Sequence, residues 1–179
     1  LSKIIECVPN FSEGTDQTKI DSIVRSIKSI QGVTVLDCDP GLDTNRTVVT
    51  FVGEPESVIE AAFQGIKCAS ELIDMSRHKG THPRIGATDV CPIIPVNGIS
   101  MEECIEYSTI LAKKVGLELN IPVYLYEKSA IFPSRENLAF IREGEYEGLE
   151  QKLKDKNWKP DFGPTKFNKY TGATVIGCR

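Results

Sequence analysis

The stretch VTVLDCDPGLDTNRTVVTFV, residues 33–52, decides the fold. β-branched and other apolar side chains recur along both of its halves, and such residues favour extended strands. Pro40-Gly41 and the polar residues that follow interrupt the pattern, and these residue types are typical of turns. The stretch therefore predicts a β-hairpin with one strand over 33–39 and a second over 44–52.

An amphipathic helix is predicted on each side of this hairpin. Before it, a helix from about Asp16 to Ile30, ended by Gly32, is indicated by apolar residues at helical spacing: Ile20, Ile23, Val24, Ile27 and Ile30. After it, Pro55 stands where a helix tolerates the missing N–H. A second apolar series carries that helix to about Met75: Val58, Ile59, Ala62, Ile66, Ala69, Leu72 and Ile73.

Buried strands are predicted outside both helices, at Lys3–Pro9 and at residues 90–96. The order strand, helix, strand, strand, helix, strand matches the split βαβ, or ferredoxin-like, pattern. We therefore predict a single α+β domain in which helices pack on one face of a mixed β-sheet. Pro92 and Pro95 favour an edge or irregular position for the strand at 90–96.

Beyond residue 97 the sequence predicts further helices and strands that extend this layer. Ser100-x-x-Glu103 is a capping box and marks the start of a helix to about Gly116. The other predicted elements are a strand over 122–126, a short helix capped by Ser134, a charged and solvated helix over 145–156, and a strand over 173–178.

Composition excludes several classes of protein. The 179 residues are 40% hydrophobic and 26% charged, as in ordinary globular domains. A formal net charge of -4 provides no overall basic field for nucleic acid. The six cysteines form no C-x-x-C pair and only two histidines are present, so no metal site is expected. We see no signal peptide and no apolar run long enough to span a membrane, which predicts a cytoplasmic protein.

Both histidines lie in one punctuated stretch, RHKGTHPRIGATDVCP, residues 77–92. Its glycines and prolines are incompatible with a regular helix and predict a shaped loop. Histidine is the side chain best suited to proton transfer near neutral pH. The loop is therefore either a site for proton transfer or a basic surface loop with two solvated histidines.

Four other polar residues admit either a structural or a functional interpretation. Asn10 lies in a loop after the first strand, either as a connector or as a contact for substrate. Asp39 is either a solvated charge at the end of a strand or a carboxylate that orients a histidine. Asn45 and Arg46 are either polar hairpin residues or substrate anchors.

Motifs spread over nearly the whole chain resemble the formiminotransferase family. They include ECVPNFSEG at 6–14, TNRTV at 44–48, LIDM at 72–75, the histidine stretch through Pro95, IPVYLY at 121–126, IREGEY at 141–146 and PDFGP at 160–164. This family moves a formimino group from N-formimino-L-glutamate to N5 of tetrahydrofolate in histidine breakdown. Its transferase domain has two subdomains with folate held between them.

The resemblance implies that residues 1–179 form the amino-terminal subdomain and that the carboxyl-terminal one is absent. The implied partners are therefore a carboxyl-terminal subdomain or a second copy of the chain, besides the two small-molecule substrates. Tetrahydrofolate is the implied co-substrate, with no metal. The alternative is a catalytically silent folate-binding or protein-interaction module built on the half-domain.

The resemblance also assigns roles to residues. It places the catalytic histidine at His82, where one imidazole can serve as base and then as acid. Asp39 would orient that ring, and Arg84 would bind a substrate carboxylate bidentately. The folate-binding segment is Gly163, Pro164, Thr165, Lys166, Phe167, Asn168, Lys169, Tyr170, Thr171 and Gly172. Its middle departs from the family pattern, and a plain surface loop is the alternative.

Overall fold

A computed structural model describes residues 2–179. Its β-strands form one seven-stranded sheet. They are β1 (Ile4–Cys7), β2 (Asn10–Phe11), β3 (Val33–Gly41), β4 (Arg46–Gly53), β5 (Thr88–Asn97), β6 (Val123–Glu127) and β7 (Thr174–Cys178). The helices are α1 (Gln17–Lys28), α2 (Pro55–Leu72), α3 (Met101–Leu119), α4 (Leu138–Arg142) and α5 (Glu145–Lys154).

The predicted hairpin is confirmed by the antiparallel pairing of β3 with β4. β1 and β2 are two pieces of one strand path, and both pieces pair antiparallel with β4 on one side and β5 on the other. The path is interrupted at Pro9, which has no N–H for a ladder. The resulting order of the first five strands is that of a ferredoxin-like sheet, so the predicted α+β class and pattern are confirmed.

Two parallel strands extend this sheet beyond β5. β7 pairs with β5, and β6 pairs with β7. The strand that contains Pro92 and Pro95 is therefore central, so the edge alternative was wrong. The irregular alternative is confirmed, because the register of β5 shifts against β1 at Ile4/Ile5 and against β2 at Asn10/Phe11. Pro92 lies beside the gap between β1 and β2, where its carbonyl accepts a hydrogen bond from the N–H of Val8 at 3.1 Å. The interruption of one strand thus accommodates a proline in its neighbour.

Helices cover the sheet unevenly. The three long helices α1, α2 and α3 pack on one face as predicted, over core residues such as Phe11, Phe51 and Leu125. A smaller cluster on the opposite face joins Tyr124 and Tyr126 of β6 to α4 and α5. The expectation of helices on one face therefore holds for the long helices, while the two short ones cover the other face of β5, β6 and β7.

Capping residues explain most helix starts. Ser100 and Glu103 form the predicted capping box of α3, and the Asp16 side chain caps α1. The short helix α4 is capped by Asn137, whose side chain accepts from the N–H of Ala139. The predicted cap Ser134 instead lies in a preceding 3₁₀ turn. In residues 2–179, no helix combines the length and apolarity that a membrane crossing needs.

Candidate active site

Four loops meet beside the uncovered part of the sheet. The Ser12 hydroxyl donates to the carbonyl of Gly86 at 2.7 Å, which ties the loop after β2 to the histidine loop. The N–H of Gly14 donates to Asn45 Oδ1 at 2.9 Å, which ties the same loop to the β3–β4 turn. Gly86 also forms an antiparallel bridge with Gly172, which brings in the predicted folate segment.

Gly86 and Gly172 allow the closest of these approaches. A Cβ built on Gly86 would lie 1.9 Å from the carbonyl oxygen of Ala173, and Gly172 has a φ of +62°. A side chain at either position would therefore push the histidine loop away from the folate segment. The two glycines explain how these distant parts of the chain come into contact.

His82 is held in one tautomer. Its Nδ1 lies 2.7 Å from the carbonyl oxygen of Pro83. Because a carbonyl oxygen can only accept, Nδ1 carries the proton and donates it, and Nε2 of the neutral ring keeps its lone pair. Partial burial lowers the pKa of His82, and the nearby charges of Arg46 and Arg142 lower it as well. A neutral imidazole with a free Nε2 has the properties of a general base.

The charged groups near His82 are the arginine pair, defined here as Arg46 and Arg142, and the carboxylate of Asp89. Asp89 is 1% exposed and accepts a hydrogen bond from Arg142. Its other oxygen accepts from the N–H of Ile85 at 2.8 Å. Asp89 therefore fixes both the arginine and the backbone that carries the histidine loop.

The structure does not bring Asp39 into a hydrogen bond with His82 among the residues it describes. Asp39 is exposed on β3, directly opposite Val48 of β4. The carboxylate whose charge raises the pKa of His82 is that of Asp89. The orienting role of Asp39 stays a prediction.

Arg84 is buried and its donors are occupied. Its terminal nitrogens donate to both carboxylate oxygens of Glu147, at 2.9 and 2.7 Å. Its Nε donates to Nδ1 of His78 at 3.0 Å, and Nε2 of His78 in turn donates to the carbonyl of Asn45 at 2.8 Å. This arrangement keeps His78 neutral and anchors α5 to the histidine loop. Binding of a substrate carboxylate by Arg84 would require the loss of Glu147.

Two of the predicted substrate anchors are engaged within the chain. Asn10 is 5% exposed, and its Oδ1 accepts a hydrogen bond from Arg46. Asn45 has a φ of +47° and donates from Nδ2 to the carbonyl of Lys79 at 2.9 Å, besides accepting from Gly14. Asn10 therefore positions a guanidinium, and Asn45 joins three loops.

The predicted folate segment, residues 163–172, lies against the histidine loop at its second half. The carbonyl of Thr171 accepts from the N–H of Ala87 at 2.9 Å. The ring of Phe167 lies 5.6 Å from that of Tyr146, and the Tyr146 hydroxyl donates to the carbonyl of Lys169. The segment thus presents an aromatic surface and exposed lysines, and it is joined to the histidine loop at Gly86 and Ala87.

Three charged residues of this region escaped prediction from the sequence: Asp89, Arg142 and Glu147. Asp89 stands in a run of buried strand residues, and an ionised side chain in such a run requires a partner. That signal was available. However, Arg142, the partner of Asp89, lies 53 residues away, and Glu147, the partner of Arg84, lies 63 residues away. No local sequence pattern identifies such pairs.

Within residues 2–179, His, Cys, Asp and Glu side chains form no group of three or more that could hold a metal ion.

Comparison with known proteins places this geometry in a family. A family model described as formiminotransferase domain, N-terminal subdomain, matches residues 4–179. The chain belongs to the formiminotransferase family. It is 55% identical to the formimidoyltransferase-cyclodeaminase of Mus musculus and 52% identical to that of Dictyostelium discoideum, each over all of this chain and 33% of the relative.

A shorter formiminotransferase relative is also similar. The glutamate formimidoyltransferase of Streptococcus pyogenes serotype M1 is 50% identical over 100% of this chain and 60% of its own length. The chain therefore spans a third of the two cyclodeaminase relatives and less than two thirds of the Streptococcus pyogenes relative.

Proposed function

We propose that this chain supplies the catalytic subdomain of a glutamate formimidoyltransferase. The enzyme would move the formimino group from N-formimino-L-glutamate to N5 of tetrahydrofolate, a step of histidine degradation and one-carbon metabolism. The observation that carries the proposal is the fixed tautomer of His82, whose Nε2 keeps its lone pair, close to the charges of Arg46, Arg142 and Asp89. The names of the Streptococcus pyogenes and Mus musculus relatives support the reaction class.

His82 would serve the reaction twice. Attack of N5 on the formimino carbon forms a new C–N bond and leaves a proton on N5. Nε2 of His82 accepts that proton. The same Nε2 then donates it to the nitrogen of glutamate as the old C–N bond breaks, so that the imidazole returns to its neutral form. The Nδ1–H bond to Pro83 holds the ring orientation through both steps.

The folate would lie along residues 163–172. Phe167 and the neighbouring Tyr146 offer ring surface suited to a pterin. Lys166 and Lys169 are exposed cations suited to a glutamate tail. These features support the assignment of the segment, and the bridge between Gly86 and Gly172 joins it to the loop that carries His82.

A carboxyl-terminal subdomain would complete the site. The face of β1, β3 and β4 that is turned away from the long helices is not covered by α4 and α5. It carries Val48 and Val52 together with their cross-strand neighbours Glu6, Thr34 and Asp39. Leu36 of β3 is 58% exposed. A surface that mixes apolar and polar side chains in this way is suited to contact with another subdomain. We propose the cytoplasm as the location, which six free cysteines support.

Formimino transfer tests the proposal. The product 5-formiminotetrahydrofolate would be measured with the chain alone and with an added carboxyl-terminal subdomain. We expect transfer in the second case and little in the first, because a pocket needs walls on several sides. Folate binding without transfer in the complete assembly would instead support a catalytically silent folate-binding module.

A further inference from the structure

The buried side-chain nitrogen and oxygen atoms that lack a hydrogen-bond partner within residues 2–179 lie around Asp89. They are Nε of Arg46, Nε of Arg142 and Oγ1 of Thr88. Buried polar atoms are nearly always paired, so each exception needs an explanation. Their concentration next to His82 distinguishes this place from the rest of the described chain.

The charges there do not balance. Both oxygens of Asp89 are already used, by Arg142 and by the N–H of Ile85. Within residues 2–179, the Arg46 side chain donates only to the neutral carboxamide of Asn10. Burial lowers the pKa of Arg46, and the neighbouring charge of Arg142 lowers it further. Two guanidinium groups held beside one carboxylate leave an excess of positive charge that an anion would stabilise.

A cavity of ≈ 300 Å³ adjoins Arg142 at this point. Pro83, whose carbonyl holds the His82 ring, lines it together with Ala139, Gly144 and the carboxylate-bearing Glu143 and Glu145, and Arg46 is not among its lining residues. Arg84, the other buried arginine of the region, cannot serve there because Glu147 and His78 occupy its donors. The arginine pair therefore provides the guanidinium donors closest to the proposed base.

We propose that Arg46 and Arg142 bind a carboxylate of N-formimino-L-glutamate, the formimino donor, beside His82. This inference rests on the proposed function. The α-carboxylate of the donor is separated from the reacting formimino carbon only by the amino nitrogen and the α-carbon. The glutamate carboxylates of folate are separated from N5 by the whole aminobenzoyl group. A carboxylate site next to the base therefore fits the donor rather than the folate tail.

Asp89 is the positioning residue of this site. It holds Arg142, which is contributed by α4, against the loop that carries His82. Asn10 does the same for Arg46 from β2. The carboxylate would thus be bound by guanidinium groups from two distant parts of the chain, each fixed by its own partner.

Steady-state kinetics of the complete enzyme, with its carboxyl-terminal subdomain, test this assignment. We expect Arg142→Gln to raise the KM for N-formimino-L-glutamate by about 10- to 100-fold, the usual effect of losing a charge-assisted hydrogen bond. The KM for tetrahydrofolate should change by less than about twofold. For Arg142→Lys we expect a KM for N-formimino-L-glutamate between those of the unmodified enzyme and Arg142→Gln, because lysine keeps the charge and lacks the planar guanidinium. Arg25→Gln, on the exposed outer surface of α1, is the matched control.

Two outcomes would overturn the assignment. A raised KM for tetrahydrofolate with an unchanged KM for the donor would give the site to the folate tail. An unchanged KM for both substrates would show that Arg142 does not bind substrate and only links α4 to Asp89. Circular dichroism of each variant separates these results from misfolding, and Arg46→Gln provides a second, independent loss of a guanidinium.

A binding measurement separates failure of the carboxylate clamp, formed by Arg46 and Arg142, from failure of the proposed function. L-glutamate, the product that carries the same carboxylates, would be titrated into the complete enzyme while the imidazole signal of His82 is followed by NMR. We expect the signal to shift in the unmodified protein and in Arg25→Gln, but not in Arg142→Gln. An enzyme that binds glutamate in this way without transferring the formimino group would retain the clamp and lose only the proposed reaction. Absence of any shift at saturating glutamate would refute the clamp.

Discussion

Arg135 and Asp161 form a buried ion pair whose loss should be costly. Their side chains are 4% and 2% exposed, and Arg135 donates to Asp161 Oδ1 at 3.0 Å. Arg135 also donates to the carbonyls of Asn157 and Lys159, and Asp161 Oδ2 accepts from the N–H of Leu125. The pair therefore anchors the chain just before the proposed folate segment.

Arg135→Met would leave the Asp161 carboxylate buried and unpaired. We expect a loss of about 3–5 kcal/mol in the free energy of unfolding, the usual cost of breaking a buried pair on one side. For a chain of this size, that loss lowers Tm by roughly 6–20 °C. Urea unfolding followed by circular dichroism measures the change.

The double variant Arg135→Met, Asp161→Asn provides the decisive comparison. It removes both charges and keeps an acceptor for the N–H of Leu125, so it should be more stable than Arg135→Met alone. Lys3→Met is the control, because the pair of Lys3 with Glu103 is exposed and such pairs contribute little. The reasoning fails if Arg135→Met unfolds at the same urea concentration as the unmodified chain, or if the double variant is the least stable of the three.

Three further predictions concern the site itself. In the complete enzyme, His82→Ala should lower kcat by about 10²–10⁴-fold with a normal circular dichroism spectrum, and near-native kcat would remove His82 from the mechanism. Burial and the two guanidiniums lower the pKa of His82, so its NMR titration should lie below the usual value of about 6.5; kcat/KM and this group's contribution to stability should then fall only as the pH drops below that value. Gly86→Ala should weaken folate binding in a calorimetric titration, because its Cβ would lie 1.9 Å from the carbonyl of Ala173, whereas Gly148→Ala, with nothing within 4 Å, should not.

The sequence predicted the parts of the fold that depend on local patterns. The hairpin follows from two β-branched runs around Pro40-Gly41, and α3 begins at the capping box that Ser100 and Glu103 predict. The covering of the second face of the sheet by α4 and α5 was not predicted, although the sequence carried a signal for it. The strand at 122–126 has no alternation, which is typical of a strand buried on both faces, and Leu149 and Leu153 give α5 its own buried stripe.

The candidate site was predictable only in part. His82 stands out because glycine and proline shape its loop, and its family resemblance gave it a role. The ion pair of Arg84 with Glu147 was not predictable, because Glu147 lies on α5, whose sequence is typical of a charged and solvated helix. The arginine pair depends on contacts between β4, β5 and α4, and such contacts arise from the tertiary structure and leave no periodic pattern in the sequence.

The position of β7 has a consequence for how the chain folds during synthesis. Residues 4–97 already contain the complete ferredoxin-like unit, which can fold while later residues are still being added. β6 emerges from the ribosome next, but its neighbour in the sheet, β7, is made only after α4 and α5. Until residues 174–178 are available, the edge of β5 presents unpaired backbone groups that another chain can bind. Translation that pauses before residue 174 should therefore leave nascent chains that depend on a chaperone.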